Sequence, residues 1–522
     1  MTSSRVVLAF SLLALASLIY TYPLILDPSR ANRLDSPDAM FNTWILSWDL
    51  HQLGRDPLHL FDANIFFPEK GTLAYSENLL SAAILAAPVA LFTDNPILLF
   101  NAAWLCGIVT TGIATFLLAF DVSGNRFSAL LAALIFTLAP YRWAHVPHLQ
   151  LQLAFGIPLS LYLVRRVVNR AGRGWIAALA LTLPATFGSS VYYFVFAATV
   201  APLVGLFALS KLAPTDRIRA SARLVVAAAI GTLLTLPLAW PYVGKLESGT
   251  VRSLEAATRF SAGIVDYVSS FSLVHFWLPK ASEPLFAGFV ALGLASTAVV
   301  MERSRRETWC WLAVASTGFV LSLGPKAGLF TFLYETLAPY RALRVPSRAG
   351  ILFLLGVALL AGLGAARVKS RLWRVLLFAA AAVECFGGPL PLSMTVPASP
   401  PIYASVASLD EEGALVELPM APPDRFQDNA LYVYRSIFHR RELVNGYSGF
   451  APESYRAAFR RVMRGDLERG LEGLASEGVR FVLAHEGRLG PRMQRQLRAA
   501  RDEGLLQLLQ SKKTDRLYRI RR

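Results

Sequence analysis

Long apolar runs recur along the whole chain, separated by short polar stretches. Runs such as Ile97–Phe120 and Leu224–Trp240 are long enough, or nearly so, to cross roughly 30 Å of hydrocarbon as helices. Further runs place spans near 6–26, 127–140, 149–164, 175–189, 191–210, 285–301, 308–324, 348–366 and 374–391. With 97–120 and 223–243 this makes about eleven transmembrane helices. The least marked boundary is Gly188-Ser189-Ser190. The first run, Val6–Tyr20, follows a basic Arg5, but no small-residue cleavage site leads into a soluble domain. It reads as a retained helix and signal anchor.

The polar stretches carry the topology. Arg165, Arg166, Arg170 and Arg173 form one basic cluster; Lys211, Arg217, Arg219 and Arg223 form a second. Arg303, Arg305 and Arg306, then Arg367, Lys369, Arg371 and Arg374, form two more. Basic residues in short loops mark the cytoplasmic side. The N-terminus is then cytoplasmic, the C-terminal region is extracytoplasmic, and the membrane is the cytoplasmic (inner) one. Parity leaves 27–96 outside as a single loop of about 70 residues, far longer than a usual connection. Leu79–Phe92 within it is too short to cross and contains Pro88, so it is expected along the outer interface. The loops 141–148, 244–284 and 325–347 also fall outside.

From about residue 395 the pattern changes. The Pro397–Pro401 stretch reads as a linker. Beyond it, Gly413–Met420 and Val479–His485 read as buried strands, Ser454–Ala475 and Pro491–Ser511 as helices, and Leu517–Ile520 as a closing strand. The predicted fold class is an all-α polytopic membrane domain, 1–394, followed by a small extracytoplasmic α/β domain, 395–522. No Gly-rich phosphate loop or nucleophile elbow occurs in that second domain.

Composition agrees with this picture. Apolar residues are 54% of the chain and charged residues 16%, against about a quarter charged in soluble domains. The net charge of +16 lies largely in the cytoplasmic loops and calls for no nucleic-acid partner. Cys106, Cys310 and Cys385 fall in apolar segments without zinc or redox spacing and read as packing residues.

Candidate chemistry gathers on the outer side. Residues 27–77 carry Asp27, Asp35, Asp38, Asp49, Asp56, Asp62, Glu69 and Glu77, interleaved with aromatic residues that argue against disorder. In DSPDAMFNTWILSW, Asp38 and Asn42 share one helical face, and Trp44 and Trp48 a neighbouring one. A carboxylate at a membrane cavity can act as a general base or position a metal. The alternative is that Asp35 or Asp38 caps a helix. Arg142, His145 and His148 can bind phosphate, relay protons or ligate metal, or can simply form an interfacial turn. Arg341, Arg344 and Arg348 in APYRALRVPSRAG match phosphate oxygens well. The alternatives there are salt bridges to the acidic loop or anionic headgroups.

These features resemble the GT-C glycosyltransferase superfamily, which includes protein O-mannosyltransferases, aminoarabinose transferases and oligosaccharyltransferases. The resemblance runs over nearly the whole chain. It rests on Asp38 ahead of Asn42, Trp44 and Trp48; on Arg142, His145 and His148; on Val345, Pro346 and Arg348; and on Asn445, Gly446, Tyr447 and Ser448. It implies inverting transfer of a sugar from a polyprenyl-phosphate donor to an extracytoplasmic acceptor. Asp38 would be the catalytic base or orient the acceptor. Arg348, with Arg344 or Arg142, would stabilise the leaving phosphate. Asn42, Glu77, His145 and His148 would line the substrates, and a divalent cation is compatible with this reading without an assigned ligand set. The second outer loop departs from many members of the superfamily in offering histidines where they carry an acidic residue. Two other classes compete. A lipid or polyol transporter predicts charge at mid-membrane depth, where Glu384 is the notable case. A non-catalytic protein of envelope-polysaccharide assembly predicts no functional aspartate in the first loop.

Overall fold

The computed structural model describes residues 3–247, 252–302, 304–396 and 399–521. Arg303 of the third basic cluster and Pro397 at the head of the linker lie outside them. Among the described residues, a helix occupies each of the eleven expected places, from Ser3–Tyr20 to Arg371–Cys385. Six segments are long and apolar enough to cross a membrane by length and composition. They are Pro96–Ser123, Arg126–Ala144, Leu149–Asn169, Val191–Leu209, Pro214–Leu246 and Pro346–Ala365. The chain is a multi-pass helical membrane protein with a C-terminal α/β domain.

The chain divides into two compact units. The first comprises Met1–Ser29, Leu79–Val89 and Asn101–Leu392; the second comprises Arg30–Asn78, Ala90–Phe100 and Ser393–Arg522.

In the first unit, polar side chains punctuate the apolar runs. Ser190 caps Val191–Leu209 by accepting from the Tyr193 N–H, which makes the Gly188–Ser190 break a real turn. Asn125 does the same for Arg126–Thr137. Close helix approach relies on small residues: a Cβ at Gly318 would lie 2.4 Å from the Phe353 nitrogen. Basic-loop residues also knit helix ends together. Arg165, nearly buried, donates to Asp121 at 2.7 Å and to Glu307 at 2.9 Å, while Arg166 donates to Asp121 at 3.0 Å and Lys211 to Glu307. Glu384 has a structural role. Its carboxylate accepts from the Phe289 and Val290 N–H groups at 2.9 and 2.8 Å and so stabilises the start of the helix Phe289–Met301. The residue that most favoured a transporter is thereby accounted for.

The second unit contains a four-stranded sheet: β1 (Ala414–Leu418), β2 (Val479–His485), β3 (Leu506–Lys512) and β4 (Asp515–Ile520), in the order β1-β2-β4-β3. β1 and β2 are parallel and the other pairings antiparallel. Ile402, Tyr403, Leu415, Tyr432, Phe481 and Leu483 form its core. Two expected helices are corrected. Ser454–Ala475 is interrupted at Gly465, because Asp466 accepts from the Arg469 N–H and starts a new helix, Leu467–Glu477. Pro491–Ser511 is helical only to Asp502; Gly504, at φ 86°, ends it, and Leu506–Lys512 pairs with β4 as a strand. The paired leucines of that stretch fit either period, and hairpin pairing decided between them.

Residues 64–67 of the first long loop belong to this unit as well. They run beside 443–445, with the Leu443 N–H donating to Asn64 O at 3.0 Å and the Phe67 N–H to Leu443 O at 3.0 Å.

Candidate functional site

The tetrad Asn445-Gly446-Tyr447-Ser448 builds the surroundings of Asp38 from the backbone upward. The Asn445 carboxamide acts as a substitute strand along β1, accepting from the Glu417 N–H at 2.8 Å and donating to the Glu417 carbonyl at 2.9 Å. Gly446 then passes so close to the buried Phe66 ring that a Cβ would lie 2.4 Å from it. This placement brings Tyr447 against the helix Pro37–Arg55, where its hydroxyl donates to the Asp38 carboxylate at 2.7 Å.

The cap of that helix is Ser36, not Asp35 or Asp38. Asp35 pairs with Arg33 at 3.0 Å, and Asp38 sits in the first turn. Asn42 donates back to the Asp38 carbonyl at 2.9 Å. The tryptophans are structural: the Trp44 indole N–H donates to Asn64 at 3.2 Å, the Trp48 N–H to Leu60 O at 2.8 Å, and Phe41 stacks on Trp44 and lies tilted against Tyr447. Glu77 is buried in the same unit. Asp49 is fully buried on the same helix, neither of its carboxylate oxygens has a hydrogen-bond partner among the described residues, and burial pushes its pKa well above the usual range.

The first unit holds the other candidates. Arg142 is almost wholly buried; it donates to the Gln152 carbonyl, while Gln152 donates back to the Arg142 carbonyl at 2.8 Å. The Arg142 Nε and Nη1 are buried without a hydrogen-bond partner among the described residues. Tyr192 organises the Val-Pro-x-Arg segment. Its hydroxyl accepts from the Arg344 and Val345 N–H groups at 2.9 and 3.2 Å, and its ring lies 4.6 Å below the Arg348 guanidinium. Arg344 lies over Phe260 at 4.9 Å. Arg252, which the sequence pattern did not single out, is near enough to Arg344 that burial and this like charge pull its pKa down to about 10.

His145 and His148 meet through their Nδ1 atoms at 3.5 Å, and His145 Nε2 faces the Glu283 carboxylate at 3.1 Å. Glu283 was also missed; its only sequence signal is an isolated charge beside Pro284. Burial alone would raise the Glu283 pKa, but His145, Arg348 and His148 outweigh it and hold the carboxyl below the usual range. Among the described residues, no three His, Cys, Asp or Glu side chains are arranged to hold a metal ion.

A further buried cluster lies across β1, β2 and β4. Glu417 accepts from the Tyr403 hydroxyl at 2.6 Å and faces His485 Nε2 at 2.9 Å, while His485 Nδ1 faces Asp515 at 2.9 Å. Burial disfavours the imidazolium, but the two carboxylates prevail and hold the His485 pKa above the ordinary value. At nearby His439 burial, with Arg441 and Arg440, outweighs the pull of Glu417 and lowers the pKa to about 4.

The chain has the fold of the GT-C membrane glycosyltransferases. One solved structure with this architecture is ArnT from Cupriavidus metallidurans bound to undecaprenyl phosphate. It is 13% identical, with 99% of this chain and 98% of that one covered at a TM-score of 0.53. Another is the arabinofuranosyltransferase AftD from Mycobacteria, 15% identical at a TM-score of 0.55. There 93% of this chain is covered but only 37% of that one, so this chain spans little more than a third of its length. No family model and no curated protein matches the chain.

Proposed function

We propose that this protein transfers a sugar, with inversion, from a polyprenyl-phosphate-linked donor to an acceptor on the extracytoplasmic side of the cytoplasmic membrane. The observation that carries the reading is the buried Arg142 guanidinium with two nitrogens left for an anion. A buried cation with unsatisfied donors asks for a phosphate or carboxylate partner. The fold supports a lipid-linked phosphate in particular, since the ArnT structure that shares it over its whole length is bound to undecaprenyl phosphate.

In this reading Asp38 receives the acceptor hydroxyl and takes its proton as the oxygen attacks the anomeric carbon. Tyr447 fixes the orientation of the carboxylate. Arg142, Arg344 and Arg348 stabilise the charge that develops on the departing phosphate. Asn42 and Glu77 serve the substrates, and the tail domain is extracytoplasmic.

The test is sugar transfer in membranes expressing wild type, Asp38→Ala or Arg142→Gln, supplied with radiolabelled polyprenyl-phosphate sugars. The expected result is transfer by wild type that falls at least about a hundredfold in each variant at equal expression. Equal transfer by wild type and Asp38→Ala would remove Asp38 from the chemistry. Absence of transfer with every donor tried would favour a non-catalytic assembly role.

A further inference from the structure

Residues 260–279 fold inside out. Between Arg259 and Lys280 the sequence has one acidic or basic side chain, Asp266, besides His275. Ser269, Ser270, Ser272 and His275 are buried, none more than 2% exposed, while Ile264, Leu273, Phe276 and Trp277 are 78%, 57%, 80% and 61% exposed. A loop in water has the opposite order, with hydroxyls outside and large apolar groups inside. The inward polar groups are spent on one another. His275 Nδ1 meets Ser270 Oγ at 3.0 Å and its Nε2 meets Glu384 at 3.3 Å. The Ser269 hydroxyl donates to Pro279 O at 2.9 Å, and the Asp266 carboxylate accepts from the Gly263 N–H at 2.7 Å. The backbone is served in the same way: the Val268, Ser269 and Ser270 N–H groups donate to the Val265, Asp266 and Pro279 carbonyls, and the Leu273 N–H to Phe386 O. Internal satisfaction of this kind is what surroundings without water demand.

Two neighbouring helices leave room in the membrane for such a segment. Phe289–Met301 has 13 residues and Arg371–Cys385 has 15. At 1.5 Å per residue they rise about 20 and 22 Å, against roughly 30 Å of hydrocarbon. One end of each adjoins a basic cluster, Arg305 and Arg306 after Met301, and Arg367 and Lys369 before Arg371, which sets that end at the membrane surface. Their opposite ends meet where Glu384 accepts from the Phe289 and Val290 N–H groups. Both helices therefore stop about 8–10 Å short of the far edge of the hydrocarbon. The inside-out segment is seated at that end: His275 bonds Glu384, and Trp277 stacks on Phe289 at 5.8 Å. Its exposed apolar surface thus continues along the helix Phe289–Met301, where Phe289 and Val300 are also exposed.

We propose that residues 260–279 lie in the extracytoplasmic leaflet as a membrane-seated loop, with Ile264, Leu273, Phe276 and Trp277 among lipid acyl chains. The occupant of this face is bilayer lipid, and the loop fills the depth that the two short helices leave open. The assignment is independent of the transfer reading. Phe260 at the start of the segment packs against Arg344, and Glu283 just beyond its end faces His145, so the depth of the loop sets the depth of both contacts.

The experiment is electron paramagnetic resonance of the full-length protein in nanodiscs of phosphatidylcholine and phosphatidylglycerol. A nitroxide is attached at Ile264→Cys or Phe276→Cys, with Cys106, Cys310 and Cys385 replaced by alanine. Val300→Cys is the acyl-chain reference, and Glu255→Cys, from an exposed ion pair with Arg259, is the aqueous one. The ratio of collisions with oxygen to collisions with a water-soluble nickel chelate is expected to be at least about threefold higher at 264 and 276 than at 255. A ratio equal to that at 255 places the loop in water and overturns the proposal. Exclusion of both reagents means that a protein covers the face, and overturns lipid as its occupant. Should the cysteine-free chain fail to fold, the emission of Trp277, taken as wild type minus Trp277→Phe, decides instead. Quenching by lipids brominated on their acyl chains is expected, and quenching by aqueous iodide alone overturns the proposal.

Discussion

Replacing Asn445 by alanine removes a side chain that performs the work of a neighbouring strand. Asn445 and Glu417 are both fully buried, and the carboxamide satisfies the Glu417 N–H and carbonyl together. Alanine leaves both backbone groups without a partner in a site too tight for free solvation. Each orphaned group costs about 1–3 kcal/mol, so the pair costs roughly 2–5 kcal/mol once partial relaxation is allowed. Hydrogen exchange by mass spectrometry on the full-length protein reads this locally, because β1 exchanges only when the strand opens. The low end of the range corresponds to roughly thirtyfold faster exchange for the peptide covering 413–420. Exchange at Leu467–Glu477, which Asn445 does not touch, serves as the internal reference. Protection of β1 within a factor of about three of wild type would mean that water or backbone movement replaces the carboxamide, and the substitute-strand account would be wrong.

Three other outcomes follow from the same region. Gly446→Ala drives a methyl group into the Phe66 ring and should destabilise by about 1–3 kcal/mol, visible as a lower melting temperature; an unchanged melting temperature would show that the ring moves freely. Tyr447→Phe and Asp38→Asn should be non-additive, with a coupling of about 1.5–3 kcal/mol in a double-mutant cycle on stability, and additivity would mean the 2.7 Å contact carries no energy. The third concerns acid. His439 has its folded pKa lowered from 6.5 to about 4, so the unfolded chain protonates first, and stability is intact above pH 6.5 and lost as the pH falls toward 4. That depression corresponds to roughly 3 kcal/mol, which His439→Phe should remove from the difference in melting behaviour between pH 7 and pH 4. His485 has the opposite sign: its raised pKa gives stability present below pH 6.5 and lost as the pH rises through the folded value, so it adds nothing to the acid loss. Identical pH dependence in wild type and His439→Phe would contradict the assignment.

The membrane helices were legible because their signal is local. A run of apolar residues reports on itself, and the basic loops between runs report on its neighbours. Even the weak Gly188–Ser190 break carried its own cap. The second unit was less legible where two local signals conflicted, as at Leu506–Lys512, whose leucines suit a helix until β4 offers a partner. The candidate residues could be picked out by type, but their pairings could not. Asp38 stood out as an aspartate ahead of a tryptophan-rich helix, and the Asn-Gly-Tyr-Ser tetrad stood out as a motif, yet nothing in either indicates that one hydroxyl joins them. Glu283 sits in a loop without periodicity, so only the fold brings it to His145.

The distance along the chain between Asp38 and Tyr447 has a consequence for how this protein is made. The two are 409 residues apart, and Asn64 lies 377 residues before Arg441, to whose carbonyl it donates. At about 5–20 residues per second, the helix bearing Asp38 waits roughly 20–80 s for the segment that completes it. Through that interval Asn64 lacks the Arg441 carbonyl and Asp38 lacks the Tyr447 hydroxyl. A ribosome that stalls anywhere before residue 440 therefore releases a membrane-inserted product whose aspartate has never met its tyrosine. The pairing of Asp38 with Tyr447 is thus a late event, and a chain cut short before Tyr447 keeps the helix bearing Asp38 without that hydroxyl.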